Sequence, residues 1–140
     1  KAGETDGSGG GWHRDCFARE LKVIVYLTDV GHENGPFNIV RGSHDTKAIY
    51  ADMRAAGLSA VQNRLTSEQV ERLVSAAPSR LQTITGAAGT VIVFDTSAIH
   101  AGAPIQRGQR LALTLYMVDK RSFSEQVLAH YEPLLTASAQ

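Results

Sequence analysis

The sequence predicts a mainly β fold of the jelly-roll type, a double-stranded β-helix with a few peripheral helices. Short runs along most of the chain alternate apolar and polar residues or are rich in β-branched and aromatic residues, which is typical of strands. Glycine and proline punctuate nearly every gap between these runs, and Asn34-Gly35-Pro36 is the clearest turn. Many short strands separated by such turns favour two facing sheets over a helical fold.

Each strand is predicted where the apolar alternation begins and ends. The predicted strands cover residues 11–15, 20–28, 36–40, 81–85, 90–95, 99–103 and 109–118. In a jelly roll, two such sheets enclose an open-mouthed interior that can hold a metal ion and a small acid. Side chains that lie far apart in the sequence would then converge inside it.

Two helices are predicted between the strands and one after them. The first covers residues 45–56, with Gly57 as its C-cap. The second opens with a capping box formed by Thr66 and Gln69 and packs through an apolar stripe. A further capping box predicts a C-terminal helix over residues 122–133.

Length and composition fit one domain over residues 1–140. Lys plus Arg number 14 and Asp plus Glu number 14, so the chain has no basic surface for nucleic acid, and it has no long apolar segment for a membrane. We therefore expect a small molecule as its partner. The single cysteine excludes an internal disulfide, and the opening residues lack the apolar core of a secretion signal. A cytoplasmic setting is expected.

The segment Trp12-His13-Arg14-Asp15 carries the first chemical signal. Residues i and i+2 of an extended strand project from one face, so His13 and Asp15 can bind one ion, with His100 far downstream as the third ligand. Two imidazoles and one carboxylate form the facial triad of non-haem Fe(II) oxygenases, which leaves adjacent positions open for cosubstrate and dioxygen. Neither Cys-x-x-Cys nor His-Glu-x-x-His occurs, which argues against structural zinc.

A short pattern such as His-x-Asp also fits a hydrogen-bonded pair on a surface strand, and Arg110 strengthens the metal-site hypothesis. Arg110 opens a β-prone run in which it shares a face with Thr114. A guanidinium on a buried strand requires an anion, and a carboxylate of 2-oxoglutarate would be bound bidentately. Thr114 could donate its hydroxyl to the same carboxylate. Arg107 is the competing anchor, but its loop setting favours a solvated charge.

Several motifs, in order along the chain, resemble the phytanoyl-CoA dioxygenase-like branch of the Fe(II)/2-oxoglutarate oxygenases. They are Trp12-His13-Arg14-Asp15, Tyr26-Leu27-Thr28-Asp29, Asn34-Gly35-Pro36-Phe37, Gly42-Ser43-His44, His100 and Arg110. The resemblance extends from about residue 10 to about residue 119. It implies that His13, Asp15 and His100 are the iron ligands and that Arg110 anchors 2-oxoglutarate.

The resemblance also implies a reaction in which Fe(II), 2-oxoglutarate and O2 hydroxylate a small-molecule substrate and release succinate and CO2. Halogenating relatives vacate the carboxylate position, so the presence of Asp15 favours hydroxylation. Two alternatives stay open. One is a non-catalytic cupin-like or degenerate oxygenase-fold module that binds a metal or ligand. The other is a metal-dependent hydrolase with the same ligands, in which Arg110 has no role.

The sequence departs from the family pattern at three places. Arg41 replaces the usual Pro before Gly-Ser-His, and Gly102 stands where a small polar residue is often found after the distal His. Family members also carry an N-terminal helical region and a first barrel strand before the first ligand. We expect the chain to be a fragment or processed form that lacks both. The open sheet edge left by such a strand could be covered by a homo-oligomer.

Overall fold

The computed structural model describes residues 10–17, 19–117, 124–126 and 129. Within these residues the chain forms eight strands and two α-helices. In chain order they are β1 (Trp12–His13), β2 (Leu21–Tyr26), β3 (Phe37–Val40), α1 (Thr46–Ala56), β4 (Arg64–Leu65), α2 (Ser67–Ser75), β5 (Leu81–Ile84), β6 (Val91–Asp95), β7 (His100–Gly102) and β8 (Ala112–Met117). A short 3-10 helix, Pro78–Arg80, links α2 to β5.

The strands form two antiparallel sheets. The larger sheet has the order β4-β1-β7-β3-β5, and the smaller has the order β6-β2-β8. Most neighbours in each sheet are distant in sequence, as is typical of a jelly roll. The mainly β, jelly-roll-like fold class is therefore confirmed, although the described sheets do not close into a barrel.

One apolar cluster joins the two sheets. Its buried members come from β2, β3 and β6 and the turns beside them: Tyr26, Val30, Phe37, Ile92 and Phe94. The Phe37 and Phe94 ring centroids are 4.6 Å apart across the space between the sheets. This contact packs aromatic surface from the two sheets together.

A second apolar cluster attaches the helices to the outside of the larger sheet. Its buried members are Val40, Ala56, Leu65, Val70, Leu73 and Ile99, and Trp12 packs against them. Both helices begin as predicted and α1 also ends as predicted, whereas α2 ends at Ser75, before Pro78. Asp45 caps α1, Gly57 follows it at φ 66°, and Thr66 and Gln69 form the capping box of α2.

The structure corrects several predicted boundaries. Strand β1 ends at His13 instead of continuing to residue 15, and strand β4 was not predicted at all. A two-residue strand has too short a pattern for alternation to be recognised. In the run 109–118, β8 begins only at Ala112. Most of the predicted helix over 122–133 lies outside the described residues.

In the described part of the chain, β8 pairs with β2 alone and forms the edge of the smaller sheet. All of its residues are exposed. The prediction of a buried strand is therefore wrong for β8. Covering by a second copy was predicted for the edge left by a missing first barrel strand, and it stays a prediction. No helix within the described residues combines the length and apolar character needed to cross a bilayer.

Tyr26 connects the two sheets through its phenol and supplies a test of the fold. Its hydroxyl donates to the Ile84 carbonyl oxygen at 2.8 Å and accepts from the Phe37 amide at 3.0 Å. We expect Tyr26→Phe to lower the free energy of unfolding by about 1–3 kcal/mol, because one buried and one half-buried backbone group lose their partner. Denaturant unfolding measures this loss. Tyr50→Phe, at an exposed side chain, is the matched control and should change stability little. Equal effects of the two substitutions would contradict this role for Tyr26.

Candidate metal centre

His13, Asp15 and His100 meet at one point of the interior. Oδ1 of Asp15 lies 3.3 Å from Nε2 of His13 and 3.8 Å from Nε2 of His100. One ligand atom from each of the three residues lies within 4.8 Å of the other two. Such separations allow two imidazole nitrogens and one carboxylate oxygen to bind a single ion, the donor set preferred by Fe(II) in oxygenases. The donors fit the ion that the sequence implies.

Backbone carbonyls fix which ring nitrogen each histidine presents. Nδ1 of His13 lies 2.8 Å from the Gly11 carbonyl oxygen, and Nδ1 of His100 lies 2.9 Å from that of Ala98. A carbonyl oxygen only accepts hydrogen bonds, so Nδ1 carries the proton in both rings. In the neutral form of each ring, the Nε2 lone pair is therefore the one directed toward Asp15. Metal-binding histidines are commonly oriented in this way.

His100 occupies an apolar setting that keeps it neutral. It is buried against the rings of Phe94 and Phe37, whose centroids lie 4.9 and 5.7 Å away, and its ring lies 4.3 Å from that of His13. Burial lowers the pKa of His100 to about 4. Near neutral pH the imidazole is thus unprotonated, which is the form that binds metals.

Asp15 reaches the site through a bend and not through strand pleating. The Arg14 amide still donates to the Asn63 carbonyl at 2.7 Å, in register with β4. The chain bends at Asp15, whose amide donates instead to the Thr96 carbonyl, just after β6, at 3.1 Å. The spacing His-x-Asp brought the two side chains together as expected, but by a different local geometry.

Arg14, between the two predicted ligands, holds the segments that carry them. Its buried guanidinium donates through one nitrogen to the carbonyl oxygens of Ser43 and Ser97. The Ser43 hydroxyl accepts from the Ile99 amide at 2.7 Å and donates to the Val40 carbonyl at 2.6 Å. Arg14 therefore ties the first ligand segment to the turn that leads into His100. Its burial lowers its pKa to about 10, so it stays charged near neutral pH.

The charge of Arg14 is balanced by an acid on helix α1. Asp52 is buried, and its carboxylate lies 3.9 Å from the second terminal nitrogen of Arg14. Arg80 binds the same carboxylate bidentately, with both distances at 2.8 Å. That second nitrogen of Arg14 has no hydrogen-bond partner among the described residues. Helix α1 is thus linked electrostatically to the back of the metal site.

Lys22 was missed by the sequence analysis. It lies on the inner face of β2, is buried, and its ammonium donates to Oδ2 of Asp15. The ammonium also lies 4.5 Å from the Tyr116 ring centroid and 5.8 Å from that of Phe94. A signal was present in the sequence, because Lys22 is the one charged residue in the otherwise apolar run Leu-Lys-Val-Ile-Val-Tyr.

Arg110 lies just before β8 and is half-buried. A Cβ atom built on Gly102 would lie 3.0 Å from one terminal nitrogen of Arg110, so the guanidinium passes close over this glycine. Gly102 lies two residues after His100 on β7, which places the Arg110 guanidinium about 7 Å along the strand from this predicted ligand. The Arg110 charge also acts on Tyr26: burial raises the pKa of the Tyr26 phenol, and the positive charge of Arg110 lowers it in part. Arg107 is exposed in its loop, as expected.

The loop that leads to Arg110 is fastened to the turn predicted at residues 34–36. The Ala103 amide donates to the Pro36 carbonyl at 2.9 Å, and the Asn34 amide group donates to the Arg107 carbonyl at 3.0 Å. Gly35 has φ 73°, and a Cβ on it would lie 2.6 Å from the Ala103 carbonyl oxygen. Glycine is therefore required at this contact.

Thr114 lies on β8 directly opposite Ile24, while Lys22 lies opposite Tyr116. Opposed residues of an antiparallel pair share a face, so Thr114 and Tyr116 lie on the side of the sheet that carries the Lys22 ammonium. Thr114 thus stands between the level of the metal ligands and that of Arg110. Its side chain is exposed.

The Arg14 contacts lead to a prediction about metal binding. Arg14→Met should lower the free energy of unfolding by about 2–3 kcal/mol, because buried hydrogen bonds from a charged donor are lost. It should also weaken Mn(II) binding about tenfold or more, because the ligand segments lose their common anchor. Calorimetric titration with Mn(II) measures the second effect. Arg41→Met, at an exposed side chain, serves as control. Unchanged affinity in folded Arg14→Met protein would refute the anchoring role.

Comparison with known proteins places this geometry in a family. A search of curated proteins finds no match. The family model for phytanoyl-CoA dioxygenase (PhyH) matches residues 4–110, which include the three converging side chains and Arg110. That family consists of oxygenases. Because the match covers most of the sequence, the chain belongs to the phytanoyl-CoA dioxygenase (PhyH) family.

Proposed function

We propose that the protein is an Fe(II)- and 2-oxoglutarate-dependent dioxygenase that hydroxylates a small molecule and releases succinate and CO2. The observation that carries the proposal is the meeting of Nε2 of His13, Nε2 of His100 and Oδ1 of Asp15 within bonding reach of one ion. Family membership supports the same class of chemistry. A small-molecule partner and a cytoplasmic setting are parts of this proposal.

His13, Asp15 and His100 would hold the iron, which when bound supplies the activation of dioxygen. The two imidazoles are neutral donors with their Nδ1 protons held by backbone carbonyls. Asp15 supplies the single negative charge. Its presence favours hydroxylation over halogenation, since a halide would need the position that the carboxylate takes.

Arg110 is the proposed anchor for the distal carboxylate of 2-oxoglutarate. Its guanidinium lies beside Gly102, one pleat from His100, a separation that suits a five-carbon dicarboxylate with its other end at the metal. The half-buried setting strengthens a bidentate pair relative to one in bulk water. Thr114, on the same side of the sheet, could add a hydroxyl donor along this path.

The walls of the site would orient the reactants and exclude water. Phe37 and Phe94 pack beside His100, and neither ring offers a hydrogen bond to solvent. Reactive oxygen chemistry near such walls is directed to the bound substrate instead of to water. The described residues leave the β8 side of the interior open, so the substrate could enter there.

Asp15→Ala tests the metal assignment. We expect it to abolish succinate formation from 2-oxoglutarate in protein loaded with Fe(II) under anaerobic conditions and then exposed to oxygen, because the carboxylate ligand is lost. Glu71→Ala, at an exposed site on α2, is the control and should keep full turnover. Wild-type turnover in Asp15→Ala would contradict the ligand assignment. Iron binding by the wild type without any 2-oxoglutarate turnover would favour the binding-module alternative.

Arg110→Met tests the cosubstrate anchor against its competitor. Loss of a bidentate charged pair in a partly buried site should raise the KM for 2-oxoglutarate about 30- to 200-fold, corresponding to about 2–3 kcal/mol. Arg107→Met should leave this KM near the wild-type value, since Arg107 is exposed. The measurement is uncoupled succinate formation as a function of 2-oxoglutarate concentration. A large effect of Arg107→Met with none of Arg110→Met would reverse the assignment.

A further inference from the structure

Lys22 is a buried cation that the proposed function does not use. The residue is 6% exposed, and its single hydrogen bond to a side chain of the described residues is the one to Oδ2 of Asp15. Burying an ammonium costs free energy unless it is paired, so a lysine at this position requires a specific partner. The partner is one of the three predicted metal ligands.

The geometry divides the two oxygens of Asp15 between different neighbours. Oδ2 accepts from Lys22, whereas Oδ1 is the oxygen that lies 3.3 Å from His13 Nε2 and 3.8 Å from His100 Nε2. Oδ1 is therefore the oxygen that contacts both imidazole nitrogens, at the point where an ion would be shared, while Oδ2 is engaged by Lys22. An ammonium on Oδ2 repels a divalent cation from that oxygen.

Neighbouring groups keep the Lys22 side chain in this position. Its ammonium lies between the Tyr116 ring on β8, at 4.5 Å, and the Phe94 ring on β6, at 5.8 Å. Register explains both contacts, because Tyr116 and Phe94 lie directly opposite Lys22 in the two strands that flank β2. Ring faces attract a cation from the sides that the carboxylate does not occupy.

We propose that Lys22 is a positioning residue that holds Asp15 through Oδ2 and so restricts this carboxylate to binding the metal through Oδ1 alone. The proposal rests on the proposed function only in that a divalent metal occupies the three-residue site. A carboxylate that binds through one oxygen leaves three positions of an octahedral ion open, whereas one that binds through both oxygens consumes a further position. Lys22 thereby preserves the room that a chelating 2-oxo acid and dioxygen need.

Removal of the ammonium should change metal coordination without loss of the metal. In Lys22→Met, an apolar substitution of similar length, we expect bound Mn(II) to carry one fewer exchangeable water, as measured by water-proton relaxation. Mn(II) should bind at least as tightly as in the wild type, because a competing cation is gone. 2-Oxoglutarate should bind about tenfold or more weakly to the Mn(II) protein. Lys22→Arg, which restores a cationic donor, should return the water count to that of the wild type.

Two outcomes separate this role from simple core packing. If Lys22 only fills space, Lys22→Met lowers stability while the water count stays as in the wild type, and that result would overturn the proposal. A measurement on the unmodified protein guards against failure of the variant to fold. Infrared difference spectra of the Zn(II)-loaded wild type should show the carboxylate stretching pattern of single-oxygen coordination for Asp15, assigned with isotope-labelled aspartate. A bidentate pattern would refute the proposal.

The same experiments distinguish failure of the proposed function from failure of this inference. If the wild type binds Mn(II) but neither binds nor consumes 2-oxoglutarate, the dioxygenase proposal fails. The water count of Lys22→Met against Lys22→Arg would still decide the role of Lys22. If the wild type consumes 2-oxoglutarate and the count is the same in all three proteins, only the role of Lys22 is refuted.

Discussion

The antiparallel register of β1 against β7 sets His13 directly opposite His100, and the rest of the site depends on that pairing. A slip of one residue would turn one imidazole to the opposite face of the sheet. Strand β1 is only two residues long, so its own hydrogen bonds define the register weakly. Arg14 compensates, because it binds the backbone at Ser97, three residues before His100, and at Ser43, just after β3, the strand beyond β7. The positions of the candidate ligands are thus fixed by the contacts of Arg14, on the opposite face of the larger sheet.

Charge is distributed so that each face of the ligand segment has its own cation. On the helix side, Arg14 shares Asp52 with Arg80. On the inner side, Lys22 pairs with Asp15, and Arg110 lies farther along the interior. The cations on the helix side, Arg14 and Arg80, have their anion, Asp52, within the fold and stabilise the structure. Arg110 forms no ion pair with an acidic side chain of the described residues, and this supports the proposal that it binds the carboxylate of a cosubstrate.

Much of the fold and of the site could be predicted from the sequence. Alternation and turn residues defined most strands, and the caps at Thr66 and Gly57 identified both helices of the described core. The three converging side chains were recognised from residue type and order. Lys22 and Arg14 were not, because their roles depend on which strand faces which, and a single sequence contains no register. The exposure of β8 was missed for a related reason: apolar composition does not show whether a neighbouring strand is present.

The close approach of Gly35 to the Ala103 carbonyl limits how proteins of this fold can diverge. The turn holds the loop that leads to Arg110, and the atoms nearest to a Cβ on Gly35 belong to Ala103 and Ile105 instead of to the three converging side chains. A side chain at position 35 would push that loop aside and move the guanidinium, while the imidazoles and the carboxylate keep their places. The location of this cation can therefore change among related chains through a single turn, independently of the three converging side chains.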